Sequence, residues 1–456
     1  MGVLIEKKNG YDVISAEEKT AMEDYCKAYI DFMNAAKTER ECVVECIKRA
    51  EAKGFVPYKA GMELKPGDKV YYNNRGKNID LAVIGKKSLA YGANIAAAHT
   101  DSPRLDLKPN PLYEAEEMAF LKTHYYGGIK KFQWVTIPLE LHGVVCLKDG
   151  SKLEVKFGHG DEPKFVITDI LPHLGKQQAA KPLGEAIPGE NLNLLIGSVP
   201  VEDKEAKTRV KQYVMELLNE KYGMVEEDFL SAELETVPAF DATEIGFDRS
   251  FIGAYGHDDR VCAFAELKAL LDMEEIPERT AVCIFADKEE VGSMGITGMI
   301  SQAFEHFMND MCKGQGVDLY DCFAKSFCLS ADVTAALDPN FMEVFEANNE
   351  SRVNHGIAIC KYTGGRGKGG ASDANAETVA YVRKIFTENG VLWQLTEMGK
   401  IDEGGGGTVA LDMANRNIET IDAGVPVLSM HAPFEVVAKL DCYMTYKGCK
   451  AVFEAK

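Results

Sequence analysis

Residues 250–290 read SFIGAYGHDDRVCAFAELKALLDMEEIPERTAVCIFADKEE. Phe264, Leu267 and Leu271 fall on one stripe of an amphipathic helix over about Arg260–Met273. Thr280–Ala286 (TAVCIFA) is an unbroken apolar run of strand length, the pattern of a strand covered on both faces. Acidic pairs flank the two elements: Asp258 and Asp259 open the helix, and Glu289 and Glu290 follow the strand. Further along the chain, Phe327–Ala331, Gly356–Tyr362 and Val425–Met430 are strand-like, with helical segments between them, including Asp373–Asn389. Upstream, Val70–Tyr72, Leu81–Ile84 and Asn94–Ala98 are short β-like runs, preceded by helical sequence over about 15–53. There, Ser15 with Glu18 forms a capping box and Thr38 restarts the pattern. Alternating strands and helices predict an α/β fold: a mixed, mostly parallel sheet with helices on both faces.

Residues 108–248 break this alternation. WVTIPLELHGVVCL and KLEVKFG alternate as antiparallel strands do, a Pro- and Gly-rich loop follows from Gly175, and Lys204–Lys221 is helical. This stretch reads as a β-rich domain inserted into a first domain made of 1–107 and 249–456.

The 456 residues carry 51 Lys+Arg against 71 Asp+Glu, a formal charge of −20. So acidic a chain suits neither a nucleic-acid backbone nor an anionic membrane. No apolar run reaches the roughly 18 residues of a membrane helix, and MGVLIEKKNG lacks a signal peptide's apolar core. Twelve scattered Cys without CxxC spacing predict reduced, buried thiols in a cytoplasmic protein.

The chemistry concentrates at the ends of the predicted strands. His99 and Asp101 follow the NIAAA strand, Asp258 and Asp259 open a helix, Glu289 and Glu290 follow TAVCIFA, Asp332 follows FCLSA, and His431 follows VPVLSM. Open α/β sheets bind ligands beyond the carboxyl ends of their strands, so motifs spread along the chain can meet at one point. Two His with several carboxylates and no Cys form a hard-to-borderline donor set, suited to Zn²⁺, Co²⁺ or Mn²⁺. One catalytic metal needs fewer ligands than this. Two metals bridged by one carboxylate would use about five of these ligands and could hold a shared hydroxide and polarise a carbonyl. One Glu of the adjacent pair would then be left as a general base, and Asp101 would orient the His99 imidazole. Each string taken singly is more simply a solvated turn or, at Asp258, a helix cap. The residues alone leave both readings open.

The strings AAHTDSPRLDLKP, DKEEVGS, SADVTAALDPN and VPVLSMHAPFE resemble the M18 family of metalloaminopeptidases, and the resemblance runs over nearly the whole chain. It implies an aminopeptidase with two Zn²⁺ per subunit, acting on small peptides. His99 and Asp332 would hold one metal, Glu290 and His431 the other, with Asp258 bridging them. Glu289 would be the general base and Asp101 the support of His99. Asp259 stands where the family commonly has Asn, and the resemblance favours Asp258 over it as the ligand. The inserted domain would be a dimerisation domain whose His173, in LPHLGK, reaches a neighbouring subunit's site, within a tetrahedral dodecamer. The chain departs from the family at DVTAALDPN, where Ala335 and Asp338 replace His residues of the aspartyl-specific members. Acidic or broader, neutral P1 specificity therefore both stand. Lys361 and Arg366 are the candidates for contact with an acidic P1 side chain, against the plainer reading of solvated strand-end charges. GGRGKGG (364–370) is no phosphate loop, because Gly369 occupies the Ser/Thr place after the Lys. A two-metal N-acyl amino-acid deacylase and a catalytically inactive oligomeric binding protein are the alternatives.

Overall fold

A computed structural model describes Val3, Leu4 and residues 7–456. It divides into two compact units: Met1–Ser102 with Ala242–Met430 and Phe434–Lys456, and Pro103–Asp241 with His431–Pro433. The breaks fall at 102/103 and 241/242, a few residues before the expected 107/108 and 248/249. The Arg104–Ala115 strand is paired from its first residue with the end of the Met118–Tyr126 strand, so it belongs wholly to the second unit.

The first unit is built on a nine-stranded sheet. Its order is Val56–Pro57, Lys69–Asn74, Asn78–Val83, Thr280–Ala286, Ala93–His99, Phe327–Ser330, Glu419–Gly424, Ile357–Cys360 and Trp393–Thr396. The four strands from Thr280–Ala286 to Glu419–Gly424 run parallel, and antiparallel pairs flank them on both sides. Parallel strands joined by helices need apolar residues on both faces, and these have them. Ala281, Cys283, Phe285, Ala96 and Ala98 join one core, while Val282, Ile284, Ala286, Ile95 and Ala97 join the other. Side chains two apart in a strand share a face, and this period assigns the two cores.

The first core also holds Ala16–Ala35, Glu39–Glu51, His257–Leu271 and the C-terminal helix Lys439–Phe453. The ring of Phe264 lies 5.2–5.4 Å from those of Phe32, Tyr25 and Tyr29. Burying each such side chain contributes about 1.5–3 kcal/mol. Phe304, Phe307, Met308 and Met311 of the Ala303–Gly314 helix cover the opposite face. Ser15 and Thr38 both form the expected capping boxes. Phe251–Ala254, Glu435–Ala438 and Pro426–Leu428 lie side by side in a smaller five-stranded sheet. The strand preceding His431 is therefore not in the main sheet.

The second unit has a six-stranded antiparallel sheet, which includes Leu139–Cys146 and Lys152–Phe157, and the helix Arg209–Tyr222. Among the described residues no helix is long and apolar enough to cross a membrane. All twelve Cys are free thiols; Cys146 is exposed and the rest are buried.

Candidate metal centre

His99 ends the central strand and is almost wholly buried. Its Nε2 lies 3.2 Å from Asp258 Oδ1, 3.9 Å from Glu289 Oε2 and 4.0 Å from Asp332 Oδ1. Donor atoms around one zinc at about 2.1 Å stand roughly 3.3 Å apart, so this spacing is that of a metal-ligand shell. Ligand atoms of His99, Asp259 and Asp332 lie within 4.8 Å of one another, as do those of His99, Glu289 and Glu290. Five carboxylates and one imidazole thus converge within the first unit. A divalent metal would offset the mutual repulsion of so many carboxylates, and the donor set fits one.

Each side chain owes its place to a neighbouring element. Asp332 stands two residues beyond the Phe327–Ser330 strand, which is parallel to that of His99. Glu289 and Glu290 lie in a short 3-10 turn between Lys288 at φ 68° and Gly292 at φ 95°. A glycine adopts that left-handed conformation freely. Asp258 and Asp259, joined by a cis peptide, open the long helix after Gly256. Gly256 is left-handed, and a Cβ there would stand 1.6 Å from the Arg260 guanidinium. Arg260 in turn donates to the carbonyls of Ala36, Tyr255 and Gly256 at 2.6–3.0 Å, which ties the helix start to the N-terminal helices.

Asp101 does more than the sequence suggested. Its backbone carbonyl is 3.0 Å from His99 Nδ1 and its carboxylate 3.4 Å from the same atom. The carboxylate also accepts the N–H of Glu289 at 3.1 Å and of Glu290 at 3.2 Å. One residue thus orients the imidazole and both glutamates. Burial lowers the pKa of His99, but the Asp101 and Asp258 carboxylates outweigh it and hold the imidazole well above its ordinary value.

Asp258 and Asp259 face different ways. Asp258 approaches the imidazole Nε2, whereas Asp259 Oδ2 accepts the His99 backbone N–H at 3.4 Å. Burial drives the Asp259 carboxyl well above its usual range, and that of Asp332 likewise. Three supporting residues escaped the sequence reading. Glu435 accepts the Asp258 N–H at 3.1 Å and Ser102 donates to the Asp258 carbonyl at 2.7 Å. Both lie inside the quoted HTDSP and HAPFE strings, which were the available signal. The third, Tyr29, donates to His257 Nδ1 at 2.5 Å; His257 Nε2 donates to the Ile252 carbonyl at 3.0 Å, and burial holds this imidazole at about 3. Nothing in the N-terminal helix pattern singled Tyr29 out.

The remaining candidates are placed as follows. His431, at φ 66°, sorts with the second unit, where its Nδ1 is 2.8 Å from the Gly128 carbonyl. His173 is exposed in a turn of that unit, among exposed Ile170, Leu171 and Leu174. Lys361 already pairs with Asp373, which Lys368 joins at 2.9 Å. Arg366 helps line a cavity of about 300 Å³ with Tyr362, Glu397 and Lys400. Asp338 accepts the Asn340 N–H at 2.9 Å and caps a turn.

A buried His ringed by carboxylates at the carboxyl edge of a parallel sheet defines the class: a protein with a divalent-metal centre beyond its strand ends. The comparisons narrow it. Residues 32–453 match the family model described as aminopeptidase I zinc metalloprotease (M18). The chain is 46% identical over 458 residues to a probable M18 family aminopeptidase 1 of Borrelia garinii, covering 99% of this chain and 100% of the relative. The crystal structure of an M18-family aminopeptidase from Thermotoga maritima superposes with TM-score 0.95 at 44% identity, covering 99% of this chain and 100% of that one. Aminopeptidase I from Clostridium acetobutylicum superposes with TM-score 0.93 at 46% identity, with coverage of 99% and 100%. The chain belongs to the M18 family of aminopeptidases, which are zinc metalloenzymes. The yeast mApe1 dodecamer, 21% identical with TM-score 0.77 over 95% of this chain and 97% of its own, shares the fold.

Proposed function

We propose that this chain is a two-metal aminopeptidase that removes the N-terminal residue of small peptides. The observation that carries the reading is the imidazole of His99 with Asp258, Glu289 and Asp332 within 3.2–4.0 Å of its Nε2. His99 and Asp332 would hold one zinc and Glu290 and His431 the other, with Asp258 available to both; Co²⁺ or Mn²⁺ would suit the same donors. Zinc bound there supplies Lewis acidity to the scissile carbonyl and the attacking water. Glu289 takes the proton of that water and returns it to the leaving amine. Its side chain is 17% exposed, so solvent reaches it. Asp101 keeps Glu289 and His99 in register.

The inserted unit serves dimerisation, and its exposed His173 reaches a neighbouring subunit's site, where it steadies the carbonyl oxygen. The assembly is a tetrahedral dodecamer of cytoplasmic location. Lys361 and Arg366 are the P1 candidates. Lys361 pairs with Asp373, so of the two Arg366 is the first to test against an acidic side chain.

Unblocked and N-acetylated dipeptides with P1 Asp, Glu, Leu, Ala and Lys, assayed with each metal and with a chelator, test this reading. Metal-dependent release from the unblocked peptides alone is expected. Preference for the acetylated series would transfer the site to an N-acyl amino-acid deacylase. No turnover by folded, metal-loaded protein would leave a binding protein.

A further inference from the structure

A second donor cluster lies in the inserted unit, away from the His99 cluster in sequence and in element. Glu140 and His142 are two apart on the Leu139–Cys146 strand, so both side chains leave the same face. The neighbouring strand ends at Phe157, and the turn after it carries His159 back toward them. Glu140 Oε2 is 2.9 Å from His142 Nε2 and 3.3 Å from His159 Nδ1. The two imidazoles stand edge to face, with centroids 5.7 Å apart at 85°. Ligand atoms of the three residues lie within 4.8 Å of one another.

We propose that Glu140, His142 and His159 form a separate binding site for a divalent transition-metal ion of the zinc class. The 3.3 Å separation equals the roughly 3.3 Å between donors of a tetrahedral zinc shell, and the 2.9 Å one, now a hydrogen bond, needs to widen by only a few tenths of an ångström. Two imidazoles and one carboxylate are borderline donors, which favours Zn²⁺, Cu²⁺ or Ni²⁺ over Mg²⁺ or Ca²⁺. Glu140 and His142 side chains are 3% and 1% exposed, and that of His159 is 44% exposed. The site therefore has a fixed floor and an open side through which the ion enters and water completes the shell.

Lys164 is the competing charge. Its Nζ lies 3.4 Å from Glu140 Oε1 and donates to the Gly158 and Gly160 carbonyls. It engages the carboxylate oxygen opposite the two imidazoles, the usual place for a hydrogen bond that orients a ligating carboxylate. Binding releases the proton that His142 or His159 shares with Oε2 and replaces it with the ion. The ion would clip the 158–164 turn onto the Leu139–Cys146 strand.

The test uses full-length protein stripped by chelator, reloaded with Zn²⁺, and desalted before its metal content is measured. His159→Ala, at an exposed position, should bind one equivalent fewer per chain than the unaltered protein. Its metal-free melting temperature should not change, and its aminopeptidase turnover should stay within about twofold. Glu140→Gln should lose the same equivalent. The difference between variants holds whatever number of ions the His99 cluster takes, and whether or not peptides are cleaved. Equal zinc content in His159→Ala and the unaltered protein would overturn the proposal and leave a hydrogen-bonded ion-pair cluster.

Discussion

At the scale of single residues, the cluster has a buried part and an open part. His99, Asp258 and Asp332 are buried, whereas Glu289, Glu290 and His431 are half-buried. A base has to reach water and substrate, and the place of Glu289 allows that. Glu289→Gln keeps the shape and removes the base. It should retain its metal content and lose about 10²- to 10⁴-fold in turnover, read by metal analysis beside peptide hydrolysis. Unimpaired hydrolysis would remove Glu289 from that role. Asp80 illustrates a different buried acid. It sits on the wholly buried Asn78–Val83 strand with neither carboxylate oxygen hydrogen-bonded, and burial raises it from 3.8 to about 8. Between those values the folded chain holds a proton that the unfolded chain has lost, so stability falls as pH rises toward 8, by up to about 1.4 kcal/mol per pH unit. Asp80→Asn should flatten that slope in denaturant melts at pH 5 and pH 8. An unchanged slope would place the titration elsewhere.

At the scale of elements, the site depends on how strands and helices end. The parallel strands of His99 and Asp332 stop side by side, and the Glu289–Glu290 turn leaves the strand on the other side of His99. The helix that begins with Asp258 is anchored through Arg260 to the Ala36 carbonyl, just before the Thr38 cap. Thr38 accepts the Glu41 N–H at 3.3 Å, and Glu41 Oε2 accepts the Thr38 N–H at 3.2 Å. Thr38→Ala should cost about 1 kcal/mol, as lost N-caps do, visible as a lower denaturation midpoint with zinc content unchanged. A neutral effect would mean that packing of Cys42, Val43 and Cys46 holds the helix without its cap.

At the scale of the whole molecule, His173 stands exposed on the inserted unit, and its proposed action at a neighbouring chain's site would make the activity depend on more than one chain. His173→Ala should lose turnover with its metals in place. Mixed with Glu289→Gln chains in verified hetero-oligomers, it should recover part of the activity, since some sites then combine an intact Glu289 with an intact His173. No recovery would confine His173 to its own chain or to structure.

The strand–helix alternation, the two N-terminal caps and the motif residues could all be read directly, because each is a local pattern: period, spacing or a capping pair. Reading Thr280–Ala286 as a buried strand matched its observed ends because an apolar run bounded by charges leaves little choice of register. Lys204–Lys221 was less well placed: the helix starts at Arg209, after a turn whose polar residues carry no periodic signal. Which carboxylate of the Asp258–Asp259 pair meets the imidazole could not be read from the residues alone, because adjacent residues share composition and differ only in direction; the family resemblance favoured Asp258, and it is Asp258 that approaches Nε2. Nor could the reach of Asp101 to two backbone N–H groups 188 and 189 residues away be read. Local sequence determined the elements and the kinds of donor; the tertiary structure decided which of them face one another, since that depends on where separate strands stop in a shared sheet.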